Sequence, residues 1–177
     1  MKNKKKLSCF ILDVDGVMTT GHFIYSKKGK IIKVFGPDDN DGLSLLRPYM
    51  NIHFVTGDHS GYDVSKKRIV NDMKYTLDLV STIRRVDWIK KRFKLNEVIY
   101  MGDGIFDHYV MKEVGYSIAP SNADELAKKS ANYVTKRSGG DRAVAEASLY
   151  ILKKFFNIKN FSKIDLKKTK MSGSWSI

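Results

Sequence analysis

The chain has 177 residues, 42% hydrophobic and 29% charged, which fits one globular domain with a proper core and argues against disorder or a fibrous repeat. Its formal net charge is +13, but four lysines crowd residues 1–6 and a net four more positive charges fall in 158–177, so no nucleic-acid-binding stripe is expected on the body. The single cysteine, Cys9, excludes an intrachain disulfide and a cysteine-built metal site, and no run reaches the ~18 apolar residues of a membrane span.

The basic start, Met1 to Lys6, precedes an apolar run as a leader peptide would. That run is broken at once by Asp13 and Asp15, and no small-residue cleavage site follows, so a soluble, cytoplasmic protein is expected. The apolar run Leu7–Asp13 reads as a first strand. His22–Tyr25 and Ile31–Phe35 then flank Ser26-Lys27-Lys28-Gly29-Lys30, a hairpin with a glycine in its turn. Asp41–Met50 reads as a helix, Ile52–Thr56 as a strand, Val64–Met73 as a basic helix and Tyr75–Leu79 as a short strand. Thr82–Phe93 carries Ile83, Val86, Ile89 and Phe93 at three- and four-residue steps, the spacing of a helix. Strand Val98–Gly102, helix His108–Val114, strand Tyr116–Ala119, helix Ala123–Lys129, strand Tyr133–Thr135 and a long helix Ala143–Phe156 complete the series. Alternation of this kind predicts an α/β fold, a doubly wound, Rossmann-like parallel sheet with helices on both faces. A single domain is expected over 7–157, flanked by a basic arm, 1–6, and a basic tail, 158–177, that ends near a lone Trp175.

Three strands end in polar residues: Asp13-Val14-Asp15-Gly16-Val17, Thr56-Gly57-Asp58, and Gly102-Asp103-Gly104-Ile105-Phe106-Asp107. Parallel sheets bind ligands in the crevice beyond the carboxyl ends of their strands, so the three motifs are expected to share one site. Two acidic clusters there are what a magnesium-dependent phosphoryl-transfer site needs, since buried carboxylates are costly unless paired or metal-bound. The four histidines are scattered, without zinc-ligand spacing.

The ordered set Asp-x-Asp-Gly-Val, Val-Thr-Gly and Gly-Asp-x-x-x-Asp resembles the haloacid dehalogenase superfamily of phosphatases. Asp13 to Thr19, the hairpin, Gly115 to Ala119, Ala131 to Thr135 and Gly139-Gly140 resemble its small capless branch, which acts on octulosonate and nonulosonate phosphates and carries a hairpin in place of a cap. The resemblance implies a Mg²⁺-dependent phosphomonoester hydrolase. Asp13 would be the nucleophile that forms an aspartyl-phosphate, and Asp15 the acid and base. Thr56, with the Gly57 amide, would hold phosphate oxygens. Asp13, the Asp15 backbone carbonyl and Asp103 would ligate Mg²⁺, with Asp107 behind them in the metal site, orienting it. Capless relatives shield their sites by forming tetramers, and a hairpin that is apolar on more than one face implies a homotetramer here.

The chain departs from the family at four places. The cation expected before the last motif falls near Thr82, and the nearest candidates are Arg85, favoured as the phosphate-charge stabiliser, and Arg84, a further substrate contact. Asp58-His59 replace a basic residue after Thr-Gly. In Gly36-Pro37-Asp38-Asp39-Asn40-Asp41-Gly42, Asp38 stands where relatives tend to be basic, and Asp39 aligns with an acidic residue and is expected to bind substrate. Asp141-Arg142 follow Gly139-Gly140 with an altered charge pattern. These changes predict retained phosphatase chemistry on an altered substrate. A phosphatase of a different sugar or metabolite phosphate, and a non-catalytic binding protein on the same fold, stay open.

Overall fold

The computed structural model describes residues 7–164. Strand β1 (Cys9–Asp13) is buried at every position, as expected of a central parallel strand covered on both faces. The other strands are β4 (Asn51–Thr56), β5 (Thr76–Leu79), β6 (Val98–Met101), β7 (Tyr116–Ala119) and β8 (Tyr133–Val134), and they join β1 in one sheet of order β5-β4-β1-β6-β7-β8. Every pairing in that sheet is parallel. Strands β2 (Thr19–Ser26) and β3 (Gly29–Phe35) pair antiparallel as a separate hairpin.

Alternate residues of β1 face two cores. Phe10 and Leu12 pack with Leu43 and Leu46 of helix α1 (Asp39–Leu46) and with Val144, Ala147 and Ile151 of helix α6 (Ala143–Phe156). Cys9 and Ile11 pack with Ile89 of α3 (Arg85–Lys90), Val110 and Met111 of α4 (Asp107–Glu113) and Ala127 of α5 (Glu125–Ser130). Helices therefore cover both faces of a parallel sheet, the doubly wound arrangement expected from the sequence. Cys9 is the small buried hydrophobe its position implies, its thiol pushed up to about 12 by burial.

Several elements differ from the sequence reading, each for a local reason. Helix α1 stops at Leu46 rather than Met50: Arg47 keeps helical angles and bonds to the Leu43 carbonyl, but Pro48 has no backbone donor to continue the ladder. The basic helix expected over 64–73 is a short helix α2 (Tyr62–Lys66) that widens into a π-helical segment, Lys67–Asp72. The helix expected over 82–93 opens as a 3₁₀ turn, Thr82–Arg84, before α3. Packing also continues past residue 157: Ile158, Phe161 and Ile164, assigned to the tail by sequence, lie against the core. The arm, 1–6, and the rest of the tail, with Trp175, fall outside the described residues.

Helices α1 and α6 are cross-braced. A Cβ on Gly42 would meet Ala145 Cα at 2.6 Å, so glycine is what permits this close approach. Asp38 and Arg142, the residues that precede the two helices, both take left-handed backbone angles. The Arg142 Nε donates to Asp38 Oδ2 at 2.6 Å. Two positions with altered charge thus answer each other.

Candidate active site

Strands β4, β1 and β6 are neighbours, and their registers pair Asp13 with Val55 and Leu12 with Met101. Thr56, Asp13 and the Gly102-Asp103 turn therefore emerge side by side from one sheet edge, as the three motifs predicted. Gly16 makes the close approach possible. It sits at φ +86°, and a Cβ there would meet Asp103 Oδ2 at 1.9 Å.

Asp13 is held at two points. Its Oδ2 accepts from Arg85 Nη1 at 2.8 Å, and its Oδ1 accepts from Arg85 Nη2 at 3.0 Å and from the Val14 amide at 2.7 Å. Arg85 is only 1% exposed. Its Nη1 also reaches the Tyr100 hydroxyl at 2.7 Å and Asp107 Oδ1 at 2.9 Å. Asp107 is fully engaged: Oδ1 accepts from Tyr100 at 2.6 Å, and Oδ2 accepts the Asp103 and Gly104 amides at 3.0 and 2.8 Å. Of the two candidate arginines, it is the planar Arg85 guanidinium that reaches the carboxylates. Arg84 does not enter. It is exposed and borders a groove of about 330 Å³ with Leu79, Trp88 and Arg92, which includes none of the site carboxylates named above.

Asp15 lies on the other side of the crevice. Thr56 Oγ1 donates to Asp15 Oδ2 at 3.2 Å and accepts the Asp58 amide at 3.1 Å. Gly57 follows in the exposed loop beyond β4. Lys33 of β3, unforeseen from sequence, reaches both Asp15 oxygens, at 2.8 and 2.9 Å. Its signal was a lysine inside the run Ile31-Ile32-Lys33-Val34-Phe35. Tyr100, equally unforeseen, is a polar head in an otherwise apolar buried strand.

Asp39, expected to bind substrate, is instead fully buried, and this is a correction. Its Oδ1 accepts the Ala145 amide at 2.9 Å, at the start of α6, and burial raises its carboxyl to about 6. It caps a helix, satisfying amides that would otherwise lack partners. Among the histidines, His53 is braced between Asp78 and Thr76, at 2.6 and 2.9 Å, and packs at a tilt against Trp88, a packing role.

One carboxylate oxygen from each of Asp13, Asp103 and Asp107 lies within 4.8 Å of the others. Burial raises Asp13 to about 6, and burial and its acidic neighbours raise Asp103 to about 8. Crowded oxygens that resist ionisation fit a hard divalent cation, which would relieve their repulsion.

A family model described as haloacid dehalogenase-like hydrolase matches residues 62–147. The chain is 31% identical over 156 residues to the 3-deoxy-D-manno-octulosonate 8-phosphate phosphatase of Salmonella typhi, covering 82% of this chain and 79% of that protein. The chain belongs to the haloacid dehalogenase-like hydrolases. Its fold is similar to the Moraxella catarrhalis octulosonate phosphatase, solved with magnesium, phosphate and KDO (TM-score 0.73, 27% identity, 87% of this chain and 90% of that one). It is similar, too, to the cobalt-bound Haemophilus influenzae deoxy-D-mannose-octulosonate 8-phosphate phosphatase (TM-score 0.74, 26% identity, 84% and 89%). Within the family, this chain therefore groups with the phosphatases.

Proposed function

We propose that the chain is a Mg²⁺-dependent phosphomonoesterase acting on a 3-deoxy-2-keto sugar acid phosphate, of the octulosonate 8-phosphate or nonulosonate 9-phosphate type. The observation that carries the reading is the two-point grip of Arg85 on Asp13 beside the Asp103–Asp107 cluster. Arg85 favours the charged form of Asp13 against the burial that raises it, and aims the carboxylate, as a nucleophile requires. Its charge would also stabilise the negative charge of the phosphoryl group in the transition state. Asp13 attacks phosphorus and the sugar oxygen leaves. Asp15, across the crevice, protonates that oxygen and then takes a proton from the water that cleaves the aspartyl-phosphate. Thr56 and the Gly57 amide bind phosphate oxygens. Asp13, Asp103 and the Asp15 carbonyl would hold Mg²⁺, with Asp107 orienting them. The ion supplies charge neutralisation that lets a carboxylate approach a phosphate dianion.

A second reading, a different sugar or metabolite phosphate, is favoured by one feature. Asp58 stands where a basic residue is expected and is occupied by Lys30 and Lys33. A non-catalytic scaffold is disfavoured by the buried Arg85 guanidinium held on Asp13 and Asp107.

The hairpin supports a homotetramer: Ile24, Tyr25, Ile31, Ile32 and Val34 are exposed by 50, 62, 49, 45 and 46%. Among the described residues no helix is long and apolar enough to cross a membrane. With one buried thiol, the chain fits a cytoplasmic enzyme.

The test is phosphate release from a panel of sugar phosphates, wild type beside Asp13→Asn, with and without Mg²⁺. We expect release that needs the ion, peaks on a keto-sugar acid phosphate and disappears in the variant. Release that survives Asp13→Asn would overturn the mechanism, and a preference for another sugar would move the substrate assignment to the second reading.

A further inference from the structure

The hairpin is inverted relative to the usual rule of polar out and apolar in. On β3, Ile31, Ile32 and Val34 are exposed, while Lys33 between them is only 6% exposed. A buried ammonium is costly unless its charge and its three donors are met. Here two carboxylates meet the charge, and two of the donors make hydrogen bonds, to Ser65 Oγ and Asp15 Oδ2. Lys33 Nζ donates to Ser65 Oγ at 2.8 Å, lies 2.8 Å from Asp58 Oδ2, and spans both Asp15 oxygens at 2.8 and 2.9 Å.

The partners are themselves anchored. Asp58 Oδ1 accepts the Gly61 amide and the Ser60 hydroxyl, both at 3.1 Å, at the entry to α2. Lys30 adds a second ammonium to Asp58 Oδ2. Ser65 lies within α2, its hydroxyl donating to the Gly61 carbonyl at 3.3 Å. Among the described residues, Asp15 has one other side-chain partner, Thr56 Oγ1. A lysine needed only to fasten the hairpin could have paired with Asp58 alone. This one grips Asp15 with equal closeness.

We propose that Lys33 is a positioning residue for Asp15, fixing the orientation in which that carboxyl meets the leaving oxygen, so that the hairpin enters the acid step. The inference rests on the role given to Asp15 above. An alkoxide leaving group needs a proton as the P–O bond breaks, and the electron pair stays on the oxygen that Asp15 protonates. A p-nitrophenolate leaves without one. The ratio kcat/KM covers every step through departure of the alcohol, so an Asp15 out of place lowers it for alkyl phosphates and spares aryl ones. A fastening role would lower both together.

The experiment compares kcat/KM for the best alkyl phosphate of the panel with that for p-nitrophenyl phosphate, in wild type, Lys33→Met and Lys33→Arg. For Lys33→Met we expect a loss of about 100-fold on the alkyl substrate and less than about fivefold on the aryl one, the scale of general-acid catalysis. Lys33→Arg keeps the buried charge, so it preserves the fold even if Lys33→Met does not. Its larger planar head displaces Asp15, and it should lower the alkyl-to-aryl ratio in the same direction. An unchanged ratio in a folded variant of an active enzyme overturns this inference and leaves the phosphatase reading standing. A wild type that hydrolyses neither substrate overturns both.

Discussion

Arg85 supplies a planar fork that matches the Asp13 carboxylate, and a lysine cannot reproduce two parallel bonds. Arg85→Lys is therefore expected to lower kcat by roughly 100-fold, the cost of losing a preorganised donor. Arg85→Met should also lower stability by about 3–5 kcal/mol, because it strands Asp13 and Asp107 without their buried partner. Asp103 behaves oppositely. Its carboxyl is raised from 3.8 to about 8, so its ionised form burdens the fold, and stability falls as pH rises through that interval. Asp103→Asn should raise the metal-free Tm by an amount that grows from about pH 4 to about pH 8, and should remove the Tm gain that Mg²⁺ gives the wild type. Thermal melts of both proteins across that range, with and without the ion, check the sign. That Asp13, Asp15, Thr56 and Asp103 come together was legible in the sequence, because each closes or follows an apolar run and a parallel sheet gathers such ends. Lys33 was not, because its burial depends on two carboxylates distant in the chain. Asp39 was misread because an acidic cluster looks like a solvated or substrate-facing loop until its partner, 106 residues on, is in place.

At the scale of elements, β7 and α6 match their expected bounds, since an isolated apolar run and a long apolar stripe leave little choice. Their neighbours differ where a short-range signal outweighed periodicity, as Pro48 does after α1. The 3₁₀ turn and the π-helical segment left no trace in apolar spacing, and the former sets where Arg85 falls. Asp39 ties α1 to α6, so Asp39→Ala should cost about 1–2 kcal/mol, typical of a lost helix cap. Denaturant melts would show this loss, with KM unchanged. A raised KM would return Asp39 to the substrate. The hairpin is fastened through Asp58, whose carboxyl its two lysines hold well below the usual range. That fastening is complete above about pH 4 and is lost as pH falls. Asp58→Asn should accordingly speed hydrogen exchange across β2 and β3 while leaving β1 protected. Equal rates in both proteins would show that the lysines do not hold the hairpin.

On the scale of the whole molecule, the sheet presents its reactive ends along one edge, and the hairpin stands over them with its apolar face outward. Such a face is stable in water when a second copy covers it. Sedimentation at micromolar concentration should give a tetramer, and Ile24→Lys with Ile32→Lys should yield a monomer. A wild-type monomer would leave the exposed face to some other partner. A parallel sheet with helices on both faces was readable from alternation, whereas the order of its strands was not, and what the hairpin does required knowing which of its residues turn inward. The central claim is covalent: Asp13 carries the phosphoryl group during turnover. It is tested most directly by quenching the enzyme in acid during turnover of its best substrate with Mg²⁺, reducing with borohydride and mapping the peptide. The account predicts homoserine at position 13, absent without substrate. An unmodified Asp13 under conditions of active turnover, with burst kinetics that would fill the intermediate, would contradict it.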